Sequence, residues 1–220
     1  FWIWLLLAFL ITNLFYSLFP PTFYDSMLYH LAVPNYYMIQ GGMVPWPTNF
    51  NAYLPLNVEM LFLFSMLGNS ILLPKLISLA STVLIALLLF NWMRNQNRSY
   101  SLLAVMLFCT IPQAGFLASS SKPDMTGMLF MLAALRLFFS FINSRMTRDL
   151  VLSGVIWGLA VGSKYIFGFY LIGFFLALLF FKPLPFKRKI VVYAVIAILV
   201  FLMMMPWFIK NTVMTGNPLY

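Results

Sequence analysis

"ILLPKLISLASTVLIALLLFNW", residues 71–92, decides how this chain must be read. One lysine and no acid interrupt an apolar run of roughly twenty residues, the length that crosses about 30 Å of hydrocarbon as a helix. Arg94 and Arg98 follow at once. An apolar span closed by arginines points to a membrane helix that ends on the cytoplasmic side. Similar runs occupy residues 1–19, 100–118, 125–143 and 190–208. Two shorter runs, 151–162 and 166–181, meet near "GSKY".

The composition agrees with that stretch. The chain is 63% hydrophobic and 8% charged, with 24 Phe, 15 Met and 6 Trp, whereas about a quarter of a soluble protein is charged. Mean hydropathy is +0.96. The expected fold is all-α: a polytopic transmembrane helix bundle of about seven spans, with residues 1–220 as one membrane domain. The net charge is +9. It sits between apolar runs, as membrane topology requires, and does not indicate nucleic-acid binding. A single cysteine, Cys109, excludes a disulfide or thiolate metal cluster within the chain. The chain starts with Phe inside an apolar run and stops at "TGNPLY", so a portion of a longer protein is expected. No Walker A loop, HExxH or GxSxG occurs, which removes support for nucleotide-driven pumps and common hydrolases.

Between the first two spans lies a breaker-rich segment. Pro20, Pro21, Pro34, Pro45, Pro47 and Pro55 fall there, with the Gly41–Gly42 pair and many aromatics. It cannot cross a bilayer, and its apolar content suits short helices lying at the membrane surface. Residues 20–69 are therefore expected to be a first external loop with juxtamembrane helices. The apolar run at 56–67 is short enough to be interfacial or re-entrant.

Charge sets the orientation. Arg94, Arg98, Arg145, Arg148, Lys182, Lys187, Arg188 and Lys189 fall in alternate loops, which become cytoplasmic. The N-terminus then starts inside. Lys75, Lys122, Lys164 and Lys210 fall near the other side. Asp25, Glu59 and Asp124 come out on the external face, and Asp149 alone is cytoplasmic.

Each acid has a local reading and a chemical one. "TFYD" (Thr22–Asp25) and "SKPD" (Ser121–Asp124) both have capping-box spacing, and a cap can also aim a carboxylate as a general base. On a helix, Tyr29 shares a face with Asp25. His30, the only histidine, falls about 140° away from Asp25. Pro34 is expected to end or kink that helix. Glu59 lies on an apolar interfacial helix, where an acid is costly unless it meets water or a partner. Lys122 beside a helix N-terminus makes an anion site. Lys164 either snorkels to the surface or binds phosphate. Arg136 falls near mid-membrane, where such residues face a bundle interior or a cavity. Gly154, Gly158 and Gly162 lie on one face and allow close helix packing.

Five stretches carry a family resemblance: "FYDSMLYHLAVPNYYMIQGGMVP" (23–45), "YLPLNVEMLFLFSMLG" (53–68), "ASSSKPDMTGMLFMLAAL" (118–135), "LSGVIWGLAVGSKYIFG" (152–168) and "PWFIKNTVMTGNPLY" (206–220). In this order they resemble the C-type (GT-C) glycosyltransferases. The closest resemblance is to bacterial members of the protein O-mannosyltransferase-like superfamily, including aminoarabinose and lipid A or O-antigen sugar transferases. The resemblance implies transfer of a sugar from a polyprenyl-phosphate donor to a lipid, glycan or protein acceptor. It implies a multi-pass protein of the bacterial inner membrane, acting at the periplasmic face. Asp25 matches the catalytic acid of the first loop, and Glu59 and Asp124 match further acidic positions. Tyr29, His30, Glu59, Lys122, Asp124, Lys164 and Lys210 are the residues expected to contact substrate. Many relatives carry Asp-Glu in the first loop, whereas Ser26 follows Asp25 here. That departure weakens a metal role; no cofactor is assigned and a divalent cation stays open. The alternatives are a transporter or flippase for lipid-linked glycans, which needs charges along its spans, and a non-catalytic membrane scaffold.

Overall fold

The apolar runs become helices throughout. The computed structural model describes residues 2–94 and 97–219, and no strand occurs among the described residues. α1 (Trp2–Ser17) leads to a π-turn (Ser26–His30), α2 (Ala32–Gln40), a 3-10 turn (Phe50–Tyr53) and α3 (Asn57–Leu67). α4 (Leu73–Arg94), α5 (Arg98–Thr110), α6 (Pro112–Ala118) and α7 (Asp124–Ser144) follow. α8 (Thr147–Val161), α9 (Ile166–Phe180) and α10 (Phe186–Thr215) complete the chain.

Three of these, α4, α7 and α10, are long and apolar enough to cross a membrane, and a fourth crossing arises if α5 and α6 form one bent span. The expected count of about seven is not confirmed among the described residues. α8 and α9 have 15 residues each; at about 1.5 Å per residue they fall short of about 30 Å of hydrocarbon.

The run at 100–118 is not one straight helix. It bends by 74° between α5 and α6. The cause is Pro112, which has no N–H to donate and forces the preceding residue out of helical geometry. Ile111 is extended, with φ −70° and ψ 116°. Conversely, α10 is longer than the expected 190–208. It runs through Pro206 to Thr215, so Lys210 lies on the helix and not in a loop after it.

The chain divides into two compact units, one of Phe1–Ala52 and Val58–Leu129, the other of Tyr53–Asn57 and Phe130–Tyr220. In the first, α4 packs against α5, α6 and α1. Asn97 caps α5 by accepting from the Ser99 N–H at 2.7 Å. The loop after α1 folds on itself. Tyr36 stacks on Trp46 with ring centroids 4.5 Å apart. Tyr37 donates to the Ala52 carbonyl and Asn49 to that of Leu28. Gly41 ends α2 at φ 70°, a left-handed conformation that glycine adopts without a Cβ penalty.

In the second unit, α8 packs along α10, and the glycine stripe explains how. A Cβ at Gly154 would lie 2.7 Å from Leu199 Cδ1, and one at Gly158 only 2.5 Å from Met203 Cβ. The stripe is a packing seam, as its spacing suggested. At its end, Asn57 is clamped from three sides. Its N–H donates to the Gly162 carbonyl, its Nδ2 to Leu159, and its Oδ1 accepts from Trp207 Nε1 at 2.8 Å. Trp157, Val192 and Ile196 fill the buried interior of this unit.

Candidate functional site

The six candidate residues of the first unit come together there, and the π-turn sets their geometry. Leu31 N–H donates to the Ser26 carbonyl at 2.9 Å, five residues back. Such i→i+5 turns are rare and frequent at functional sites. The extra residue per turn changes which side chains align. Positions five apart approach one full turn, so His30 comes round from where α-helical spacing puts it. Pro34 does not end a helix; it sits in the first turn of α2, where its missing N–H costs no hydrogen bond.

Asp25 precedes the turn in helical conformation and makes no side-chain cap. Its carboxylate instead meets Lys122 across 97 residues of sequence, Nζ donating to Oδ2 at 3.1 Å. The Asp25 side chain is 36% exposed and that of Lys122 only 10%. Lys122 is itself fixed. Its carbonyl accepts from Ser78 Oγ, its ammonium lies 4.6 Å from the Phe23 ring centroid, and Ser81 bonds Thr126 just beyond it at 2.9 Å. The expected capping box at Thr22 is therefore replaced by an ion pair as the device that aims Asp25. At Ser121–Asp124, Asp124 opens α7, while Ser121 Oγ is buried without a hydrogen-bond partner and does not cap it.

Behind this pair lies a second one. His30 Nδ1 and Glu59 Oε1 are hydrogen-bonded at 2.6 Å, and both side chains are 2% exposed. The His30 ring also packs on Tyr29, with centroids 4.0 Å apart. Tyr29 therefore stands among acids. Burial first, then the charges of Asp25, Asp124 and Glu59, push its phenol up to about 12. It stays a neutral hydrogen-bond donor at physiological pH. Because the folded value lies above the ordinary value of about 10, any stability this gives is intact below pH 10. It is lost as pH rises toward 12. We expect a spectrophotometric titration of wild type minus Tyr29→Phe to show phenolate forming near pH 12. A midpoint near 10 would remove the acidic surroundings from the account.

The other candidates belong to the second unit. Lys164 lies between α8 and α9, half-buried. Lys210 is buried on α10, donating to the Leu54 carbonyl at 3.3 Å. Lys210 is thus a helix residue, whereas Lys164 is in the loop joining α8 and α9. Sequence reasoning passed over a cavity of about 240 Å³ lined in part by Thr22, Ser26, Lys75, Ser119, Ser120 and Ser121. Ser26 and Ser121 are the chain neighbours of Asp25 and Lys122, so the cavity adjoins the ion pair. The signal was present as a run of three serines and the serine beside Asp25. Ser26 is fully buried, so the position where relatives carry a second acid offers no surface group here. No cluster of three or more His, Cys, Asp or Glu that could hold a metal ion occurs among the described residues.

Comparison with known proteins gives a family match. A family profile described as dolichyl-phosphate-mannose-protein mannosyltransferase matches residues 55–209. That range includes Glu59, Lys122, Asp124 and Lys164, and begins after Asp25. No curated protein and no solved structure matches.

Proposed function

The chain belongs to the dolichyl-phosphate-mannose-protein mannosyltransferase family, a group of membrane glycosyltransferases, and on that premise we propose that it moves a sugar from a polyprenyl-phosphate donor to an acceptor hydroxyl at the external face. Asp25 is the general base. It removes the acceptor proton as the acceptor oxygen bonds the anomeric carbon. The bond from that carbon to the phosphate oxygen breaks, and the lipid phosphate leaves with the electron pair. Nucleotide-linked sugars are confined to the cytoplasm, so an external carboxylate requires a lipid-linked donor.

The observation that carries this reading is the Asp25–Lys122 pair: an acid one-third exposed, held by a lysine that is nearly buried. A base must be both reachable and oriented. The neutral Tyr29 phenol beside it supplies a donor to the sugar or acceptor. Lys122 is the cation at hand to offset charge developing on the departing phosphate.

Turnover of a polyprenyl-phosphate sugar by the Asp25→Asn protein in lipid nanodiscs tests the assignment; wild-type turnover would end it. The face is tested separately. A cysteine at Tyr24, whose side chain is 71% exposed, should react with a membrane-impermeant thiol reagent added outside sealed cells. Reaction only after the membrane is opened would put the loop in the cytoplasm and remove the lipid-linked donor from the scheme.

A further inference from the structure

We infer that His30 and Glu59 are a positioning pair: they lock the π-turn so that Asp25 faces Lys122. The inference rests on the reading of Asp25 as the base, and it changes what the two residues do. Both were expected to contact substrate. Both are 1% exposed, and each spends one polar atom on the other at 2.6 Å.

Three observations carry it. The first is where the pair acts. His30 is the last residue of the π-turn and Glu59 lies in the first turn of α3, 29 residues later. Ser26, the first residue of the turn, is fully buried. The turn is thus fixed at both ends, and Asp25 is the residue immediately before it. A π-turn is rare and persists only when its surroundings over-determine it.

The second is what the pair lacks. His30 Nε2 and Glu59 Oε2 are both buried without a hydrogen-bond partner. Leaving buried polar atoms unsatisfied is costly, and apolar side chains of similar volume would pack this position at least as stably. A buried ionisable pair joined by a single bond is thus a poor source of stability. Its distinctive property is a single short, directional bond, which fixes register.

The third is what the pair touches. The imidazole packs on Tyr29, and Tyr29 feels the charges of Asp25, Asp124 and Glu59. One side chain therefore sets both the backbone that bears the base and the phenol beside it.

The sequence makes the test unusually clean. The chain carries one histidine and four acidic residues, three of which are aspartates. Protein labelled with ¹⁵N-histidine and ¹³C-carboxyl-aspartate, in lipid nanodiscs, gives one imidazole and three carboxyl signals. Asp25→Asn assigns the Asp25 signal, and Lys122→Gln shows how far it moves when the ion pair is broken. We expect wild-type His30 to show a protonated Nδ1 that changes in Glu59→Ala. We expect His30→Phe to move the Asp25 carboxyl signal in the direction Lys122→Gln does. His30→Asn, whose amide nitrogen can replace Nδ1, should restore it. In turnover, His30→Phe should lower kcat about 10–100-fold through misplacement of the base, with KM within about twofold, and should add nothing to Asp25→Asn.

The proposal is overturned if the Asp25 signal is unchanged in a folded His30→Phe protein, or if the kcat losses of His30→Phe and Asp25→Asn multiply. It is also overturned if KM carries the loss, which would return His30 to substrate contact. If His30→Phe moves the Asp25 signal while Asp25→Asn keeps wild-type turnover, the positioning holds and the assignment of the base fails.

Discussion

Asp25→Asn is expected to reduce kcat/KM by about 10²–10⁴-fold, the usual worth of a positioned general base, while leaving the fold unchanged. Asparagine keeps the shape and an oxygen that can still accept from Lys122 Nζ, so the 3.1 Å contact has a substitute. The carboxylate is one-third exposed, but Lys122 is only 10% exposed and is left with a neutral acceptor in place of its counter-charge. What disappears is the proton acceptor. Stability to thermal unfolding should fall by about 1–3 kcal/mol, because a nearly buried ammonium keeps only a neutral partner. Lys122→Gln should cost less, up to about 10²-fold, because it loosens the carboxylate without removing it. If Lys122→Gln were the more damaging of the two, the lysine would be acting on substrate directly and the carboxylate would be its support.

The second large effect is on stability. Gly162→Ala should destabilise the second unit by about 2–5 kcal/mol, from overpacking together with a buried donor left unpaired. The added methyl would overlap Asn57 Nδ2 and lie 2.9 Å from Asn57 Cγ. Asn57 must then move, and with it go its bonds to Leu159 and Trp207. Trp207 is buried, so its indole N–H is left without an acceptor. Gly158→Ala should also destabilise, since the methyl would lie 2.5 Å from Met203 Cβ and 3.2 Å from Val200 Cα. Gly173→Ala is the control. A Cβ there meets nothing within 4 Å, and alanine improves a helix interior by up to about 1 kcal/mol. Thermal denaturation in detergent should rank the three in the order Gly173→Ala, Gly158→Ala, Gly162→Ala, the last least stable.

These two predictions come from features of different visibility. The glycine stripe could be read from the chain because helix periodicity is local: residues four apart must share a face. The lengths of α4 and α7 were readable for the same reason. The side on which Asp25, Glu59 and Asp124 fall rested on span counting; what the structure shows is that the charges of all three act on Tyr29. What spacing cannot show is pairing at a distance. Lys122 finds Asp25 across 97 residues and Glu59 finds His30 across 29, and the first displaced the capping box that the sequence offered. The π-turn was hidden because angular reasoning assumed α-helical geometry, which placed His30 on another face. The break at Pro112 was different. Its signal was in plain view, and an apolar run of suitable length simply outweighed one proline.

That break has a consequence for the lipid. α5 has 13 residues, an arm of about 20 Å at about 1.5 Å per residue, before the chain swings away through 74°. Its neighbour α4, with 22 residues, is about 33 Å long and matches an ordinary bilayer. Acyl chains lying against the shorter arm must compress, or the arm must sit off-centre in the membrane. Ile111 and Pro112 also interrupt the backbone hydrogen bonding there, which hydrocarbon tolerates poorly. The Thr110 hydroxyl covers part of that loss by donating to the Leu107 carbonyl at 2.9 Å. A dimple in the leaflet beside α6 would bring the phosphate of a long-chain carrier down toward the serines at the end of that helix. For the proposed lipid-linked donor, the membrane's local thickness would then bear on how substrate is delivered.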